Sequence, residues 1–333
     1  MKRVLLVFLA ALLLCGCSQE QKETLPSFAP AEETAAAETA MPTETEETVP
    51  EADFSFSDLQ YTEFHFNSGV GGWGTVLVIH PDGSFTGEYY DSNMGIREAE
   101  YPNGSVDLSN FTGQLGQPQW VNEYTCSLKI ESIQYEVAPG TVEIREGIRY
   151  SYGTAYGLAG TEELLLYLPG ALISELPASY LPWAFLYEYE GPDLPRYGIY
   201  NPDQEQGFYG INIIANIWEQ VQTAEETTAA MNAYLETHYT QADMNLHAQE
   251  KYRIWDNILN QLWQVLKKVL PEEEMRQLTN EELQWIKEKE QAALDAAAEY
   301  EGGSIYPSVY YITLADLTKE RVYELLERLP NSD

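Results

Sequence analysis

The spacing of apolar residues changes once along this chain of 333 residues, and that change sets what it can fold into. From about residue 54 to 211, apolar and polar residues alternate over short runs broken by turns. From Thr223 onward the apolar residues recur at three- and four-residue steps. The first pattern belongs to strands and the second to amphipathic helices. Residues 76–80 and 84–90 flank Pro81-Asp82-Gly83, a hairpin loop in which Pro presets φ and Gly accepts left-handed backbone. Tyr101-Pro102-Asn103-Gly104 is a further turn, and Tyr124, Cys126, Leu128 and Ile130 alternate with polar neighbours. Val142 and Ile144, then Ile148, Tyr150 and Tyr152, flank Glu146-Gly147, and the apolar run 164–168 stops at Pro169-Gly170. Turns at such intervals predict an antiparallel β-sandwich or small barrel over 54–211.

The remainder predicts a helical bundle over 223–330. Thr223-Ala224-Glu225-Glu226 has the form of a capping box opening a helix to about Tyr239. Thr240-Gln241-Ala242-Asp243 opens a second helix, with Trp255, Leu259, Leu262, Leu266 and Val269 on one stripe and Pro271 at its end. Thr279-Asn280-Glu281-Glu282 caps a third, with Leu283, Ile286, Ala293, Leu294 and Ala297 inward and Gly302-Gly303 as a left-handed stop. Thr313 or Asp316 starts the last, with Leu317, Val322, Leu325 and Leu326 inward. The fold class is therefore α+β in two domains.

The first 53 residues contribute to neither core. Lys2 and Arg3 precede an apolar run, 4–14, that is shorter than a membrane span and reads as a secretory signal. Leu14-Cys15-Gly16-Cys17 resembles the lipobox of bacterial lipoproteins, which implies cleavage before Cys17, lipidation of its thiol and anchorage on the outer face of the bacterial cytoplasmic membrane. An ordinary signal peptide with incidental cysteines is the plainer alternative. Residues 18–53 carry ten acidic side chains against Lys22, net −9, and little that could be buried, so they predict an extended, disordered tether. Once Cys15 leaves with the signal and Cys17 is acylated, Cys126 has no partner for a disulfide and reads as a small buried hydrophobe.

The whole chain carries a formal charge of −35 with only 18 Lys and Arg, which excludes a nucleic-acid binder, since phosphates are held by cations. Membrane contact reduces to the lipid anchor. The same charge favours a basic protein partner through electrostatic steering, or serves only solubility.

One ordered set of residues carries a family likeness. Thr240-Gln241-x-Asp243-Met244-Asn245, Asp256-x-x-Leu259-Asn260, Leu278, Gln284-Trp285, Gly302-Gly303-Ser304 and Leu317-Thr318-x-x-Arg321-x-x-x-Leu325 resemble the LprI-type lysozyme-inhibitor domain over roughly residues 240–329. The resemblance implies a small helical fold that binds and blocks a lysozyme-like muramidase. Members commonly carry cysteines that bridge the helices. Here His247 stands near the first such place, and the segments around Ala292 and Tyr310 have none. Apolar stripes must supply the stability those bridges would give.

Two sets of binding candidates follow. In the helical part they are Trp285, Arg321 and the Gly302-Gly303-Ser304 loop; their structural alternatives are a core Trp, an Arg paired with a carboxylate, and a helix-ending turn. In the β part, Trp73, Tyr89, Tyr90 and Trp120 could form a platform for sugar rings, giving a glycan- or ligand-binding lipoprotein as the second hypothesis; filling and edging the β-domain is the alternative. His65, His80, His238 and His247 fall in no metal spacing, and no nucleophile elbow or phosphate loop occurs, so no cofactor, metal or catalytic residue is expected.

Overall fold

The computed structural model describes residues 54–330 apart from positions 70, 96, 188, 238 and 239. The leader, the lipobox and the acidic stretch 18–53 lie outside the described residues, which belong to one compact unit.

Among the described residues eleven strands come first: β1 (Thr62–Asn67), β2 (Trp73–Ile79), β3 (Ser84–Asn93), β4 (Ser105–Leu115), β5 (Gln119–Asn122), β6 (Thr125–Tyr135), β7 (Val142–Arg145), β8 (Ile148–Tyr152), β9 (Glu163–Tyr167), β10 (Gly198–Asn201) and β11 (Gln206–Asn212). Eight of them close a ring in the order β6-β9-β10-β11-β1-β2-β3-β4, and β4 returns to β6. Every pairing in the ring is antiparallel. The β part is thus a small barrel rather than a sandwich. Closure rests on the 11-residue length of β4, which pairs β3 along one edge and β6 along half of the other. The remaining half takes β8 in parallel, and β7 extends that flap.

Alternation decides what fills the ring. Phe64 and Phe66, Leu77 and Ile79, Phe85, Phe111 and Leu115, Cys126 and Leu128, Leu164 and Leu166, Ile199 and Phe208 are all buried in one cluster. Cys126 is a core residue, and burial pushes its thiol up to about 11. A 3-10 turn, Phe56–Leu59, inserts Phe56 and Leu59 into this core near the β2–β3 turn, while Tyr156 covers the opposite mouth against Phe66 and Trp73. The excursion between β9 and β10 builds a satellite core around Tyr167, Tyr180 and Tyr200.

β11 runs straight into α1 (Ile213–Leu235), followed by α2 (Gln241–Val269), α3 (Glu272–Ala297) and α4 (Tyr306–Leu326). Ile214, Ile217 and Val221 of α1, Trp255, Leu259, Leu262 and Leu266 of α2, Leu278 of α3, and Val322, Leu325 and Leu326 of α4 share one core. The α2 stripe and its Thr240 cap are as the sequence predicts, with the Thr240 hydroxyl accepting from Asp243 N–H.

Three helix starts differ from expectation. α1 begins ten residues before Thr223, because Asn212 Oδ1 accepts from the Ile214 and Ala215 amides and caps the helix at the strand end. α3 begins directly after Pro271 rather than at Thr279; three glutamates, Glu272 to Glu274, stabilise its first turn. α4 begins at Tyr306 with Pro307 in its first turn, rather than at Thr313 or Asp316. Thr223, Thr279 and Thr313 each donate their hydroxyl to the carbonyl four residues back, a mid-helix role that mimics a cap in sequence.

The inward face of α3 also differs. Ala293 and Ala297 are buried as expected, but Leu283, Ile286 and Leu294 are exposed by 57%, 37% and 46%. Leu278, Glu282 and Lys289 are buried in their place, and Trp285 is half-buried. The helix is rotated so that two charged side chains face inward, since both find partners there.

Candidate functional site

The seam between α3 and α4 carries two of the residues singled out in the helical part. Arg321 of α4 donates through Nε to Glu282 Oε2 at 2.9 Å and through Nη1 to Glu324 Oε2 at 2.9 Å. Burial works against its charge, and the Glu324 and Glu282 carboxylates outweigh that, so its pKa rises. Its guanidinium carbon lies 5.8 Å from the Trp285 ring centre. On the same α3 face, Lys289 Nζ lies 4.7 Å from the Trp285 ring centre and 5.3 Å from that of Tyr252. Tyr252, Lys289, Trp285 and Arg321 thus alternate ring and cation across α2, α3 and α4. Asp256 closes the row, with Oδ1 3.9 Å from Lys289 Nζ and accepting from the Tyr252 hydroxyl at 3.2 Å. Burial depresses the Lys289 ammonium despite the nearby carboxylates of Asp256, Glu282 and Glu290. Arg321 and the half-buried Trp285 therefore fix how α3 sits on its neighbours.

At the far end of the helices, Gly302 takes a φ of +76° with open space around it, and the Gly303 amide donates to the Tyr300 carbonyl at 2.8 Å. Asn245 Nδ2 donates to the Ser304 carbonyl at 3.0 Å, while Gln241 Nε2 donates to Asn245 Oδ1 at 2.9 Å and Ser308 Oγ at 3.2 Å. The Gly-Gly-Ser loop is pinned to the first turn of α2 by residues of the Met244-Asn245 segment. Beside it lies an apolar hollow of about 250 Å³, walled by Met231, Leu235, Met244, Ile305 and Val309, with His247 at its side. The His247 ring stacks on Tyr234 at 5.3 Å, and its Nδ1 is buried with no partner among the described residues.

In the barrel, Trp73 packs on Phe66 at 4.9 Å and on Tyr156 at 5.4 Å, and Tyr89 meets the same Tyr156 at 5.2 Å. Tyr90, next along β3, points to the other side and is exposed. Trp120 sits near the opposite mouth against Phe54, at 6.5 Å. The structure brings Trp73 and Tyr89 together and leaves Tyr90 and Trp120 apart from them.

One feature was not visible in the sequence. An open cleft of about 660 Å³ runs over the outer faces of β2, β3 and β4, with Glu63, Glu88 and Glu136 on its walls and Lys268 of α2 reaching over it. It depends on α2 ending beside β1, which no local pattern announces. Among the described residues no three His, Cys, Asp or Glu are grouped to hold a metal ion, and no helix is long and apolar enough to cross a membrane.

The segments that carry the family likeness meet in space. Asn245 holds Ser304, Asp256 faces Lys289, Trp285 lies between Lys289 and Arg321, and Leu259, Leu278 and Leu325 share one core. No curated protein and no solved structure matches the chain. Residues 219–325, from α1 to Leu325 of α4, match the family model for lysozyme inhibitor LprI.

Proposed function

We propose that this protein is a lipid-anchored surface binder whose helical part docks onto a basic, lysozyme-like muramidase and blocks it without chemistry of its own. The observation that carries the reading is the match of residues 219–325 to a lysozyme-inhibitor family. Two further features support it. The chain's charge of −35 would draw in a basic enzyme, with an association that weakens as salt screens it. The helical residues that the likeness singles out act as packing and pairing groups. The barrel would then hold the helical part at the end of the 18–53 tether.

Pre-incubation of the soluble chain beginning at Phe54 with an animal-type lysozyme should slow lysis of a cell-wall suspension at low ionic strength. Unchanged lysis at large molar excess would overturn the proposal. For the anchor, a palmitate label should enter the full-length chain in a bacterial host and be lost in Cys17→Ser; labelling that survives the substitution would place the lipid elsewhere or remove it from the reading.

A further inference from the structure

β7 is the outermost strand of the flap and is bonded on one side only. The sheet runs from β5 at one end to β7 at the other, and β7 pairs β8 alone. All of its residues, Val142 to Arg145, are exposed, with Val142 at 51% and Ile144 at 45%. The Thr141 carbonyl accepts from the Tyr152 amide at 2.9 Å, so the odd-numbered positions direct their backbone groups at β8. The amides and carbonyls of Val142 and Ile144 therefore point outward, a template for another strand.

Proteins commonly blunt such edges. β5, at the other end of the sheet, carries a register shift between Trp120 and Asn122. β7 keeps an unbroken register with β8 from Val142 to Arg145, and its tip is set by a two-residue turn, with Glu146 at φ +53° and Gly147 at +73°. Charge also keeps edges apart, when one sign faces itself. β7 instead carries one of each. Glu143 and Arg145 stand on one face, with Arg145 Nε 3.4 Å from Glu143 Oε2 and the guanidinium carbon 4.5 Å from the Tyr150 ring centre.

These charges are symmetric about Ile144, and that selects the occupant. When two β7 strands pair antiparallel about this residue, Ile144 faces its own copy and each Glu143 faces Arg145 of the other chain. Like charges meet only on the diagonal. Glu146 falls opposite Val142, beside no like charge. The same register sets the outward amide and carbonyl of Ile144 against those of its copy, as an antiparallel ladder requires.

We propose that β7 pairs with β7 of a second copy of this chain, antiparallel about Ile144, so that two flaps form one continuous sheet. So short a contact makes a weak dimer. The net charge of −35 opposes it at long range; physiological salt screens that repulsion beyond about 8 Å and leaves the contact pairs in place. No residue of the helical part takes part, so the pairing stands or falls independently of the inhibitor reading.

Sedimentation equilibrium of the chain from Ser18 onward, at about 0.15 M salt and up to about 1 mM protein, should give a reversible monomer–dimer equilibrium. Glu143→Arg sets Arg against Arg145, and Arg145→Glu sets Glu against Glu143, so each variant alone should associate more weakly by about tenfold or more. Mixed in equal amounts, the two variants are complementary at both positions and should regain association as a mixed dimer. Both substitutions fall on exposed side chains, and the melting temperature should be unchanged. Without any substitution, amide exchange at Ile144 should slow as the protein concentration rises. A wild type that stays monomeric overturns the proposal, as does exchange at Ile144 that ignores concentration. A dimer that neither reversal weakens, a mixture that associates no better than its components, or growth beyond the dimer would overturn it equally.

Discussion

A Cβ added at Gly113 would lie 2.2 Å from Phe85 Cζ and 2.3 Å from the Ser132 carbonyl oxygen. At Gly87 it would lie 2.3 Å from Phe111 Cζ. The two pairs are reciprocal across β3 and β4, where Phe85 stands opposite Gly113 and Gly87 opposite Phe111, so each ring fills the space its facing glycine leaves. A barrel this small can hold four phenylalanines from β1, β3 and β4 only because two facing positions are empty. Gly113→Ala should therefore destabilise the protein by about 1–3 kcal/mol in urea denaturation, through overpacking and not backbone conformation. In the sequence, both glycines merely interrupt strand patterns, and their partners cannot be known before the register is set.

At the scale of the element, α3 shows how pairing can override an apolar stripe. Arg321 and Glu282 are nearly excluded from water, with side-chain exposures of 11% and 10%, and hold each other at 2.9 Å. Arg321→Ala would leave Glu282 a buried carboxylate without its cation and should cost about 3 kcal/mol. Glu324→Ala removes a partner whose side chain is 62% exposed and should cost less than about 1 kcal/mol. Chemical denaturation followed by tryptophan fluorescence reports both, and equal losses would show that the pair does not anchor the helix. α1 and α3 share the reason for their misplaced starts: a Thr three residues before Glu reads as a cap, yet within a longer helix its hydroxyl returns to the preceding turn.

Across the whole molecule, barrel and helices join without a linker, through Asn212 and through a side-chain tie. Lys268 of α2 donates to Glu63 of β1 at 2.6 Å, and His65 lies 3.4 Å from the same carboxylate. Burial raises the Glu63 carboxyl, and the His65 and Lys268 contacts outweigh it, leaving the pKa below its ordinary value. A carboxyl depressed in the folded state adds stability above its unfolded pKa, near 4.3, and that contribution fades as pH falls through the folded value. Since Lys268 is half-exposed, Glu63→Gln should cost about 1 kcal/mol at pH 7, and the deficit should close as the pH drops below about 4. A deficit independent of pH would assign the loss to packing.

The divide between barrel and bundle, the buried Cys126, the α2 stripe with its Thr240 cap, and the resemblance to lysozyme inhibitors over the last third were legible in the residues. Each depends on local periodicity or on an ordered set of side chains along one segment. The structure alone decided that the β part closes into a barrel, that α1 grows out of β11, and which way α3 faces. The ring needs the β1–β11 pairing, which sets Thr62 opposite Asn212 from the other end of the β part, and the rotation of α3 is set by Arg321, which lies 39 residues beyond Glu282. Such long-range partners compete with local apolar spacing, and in α3 they leave Leu283, Ile286 and Leu294 facing outward.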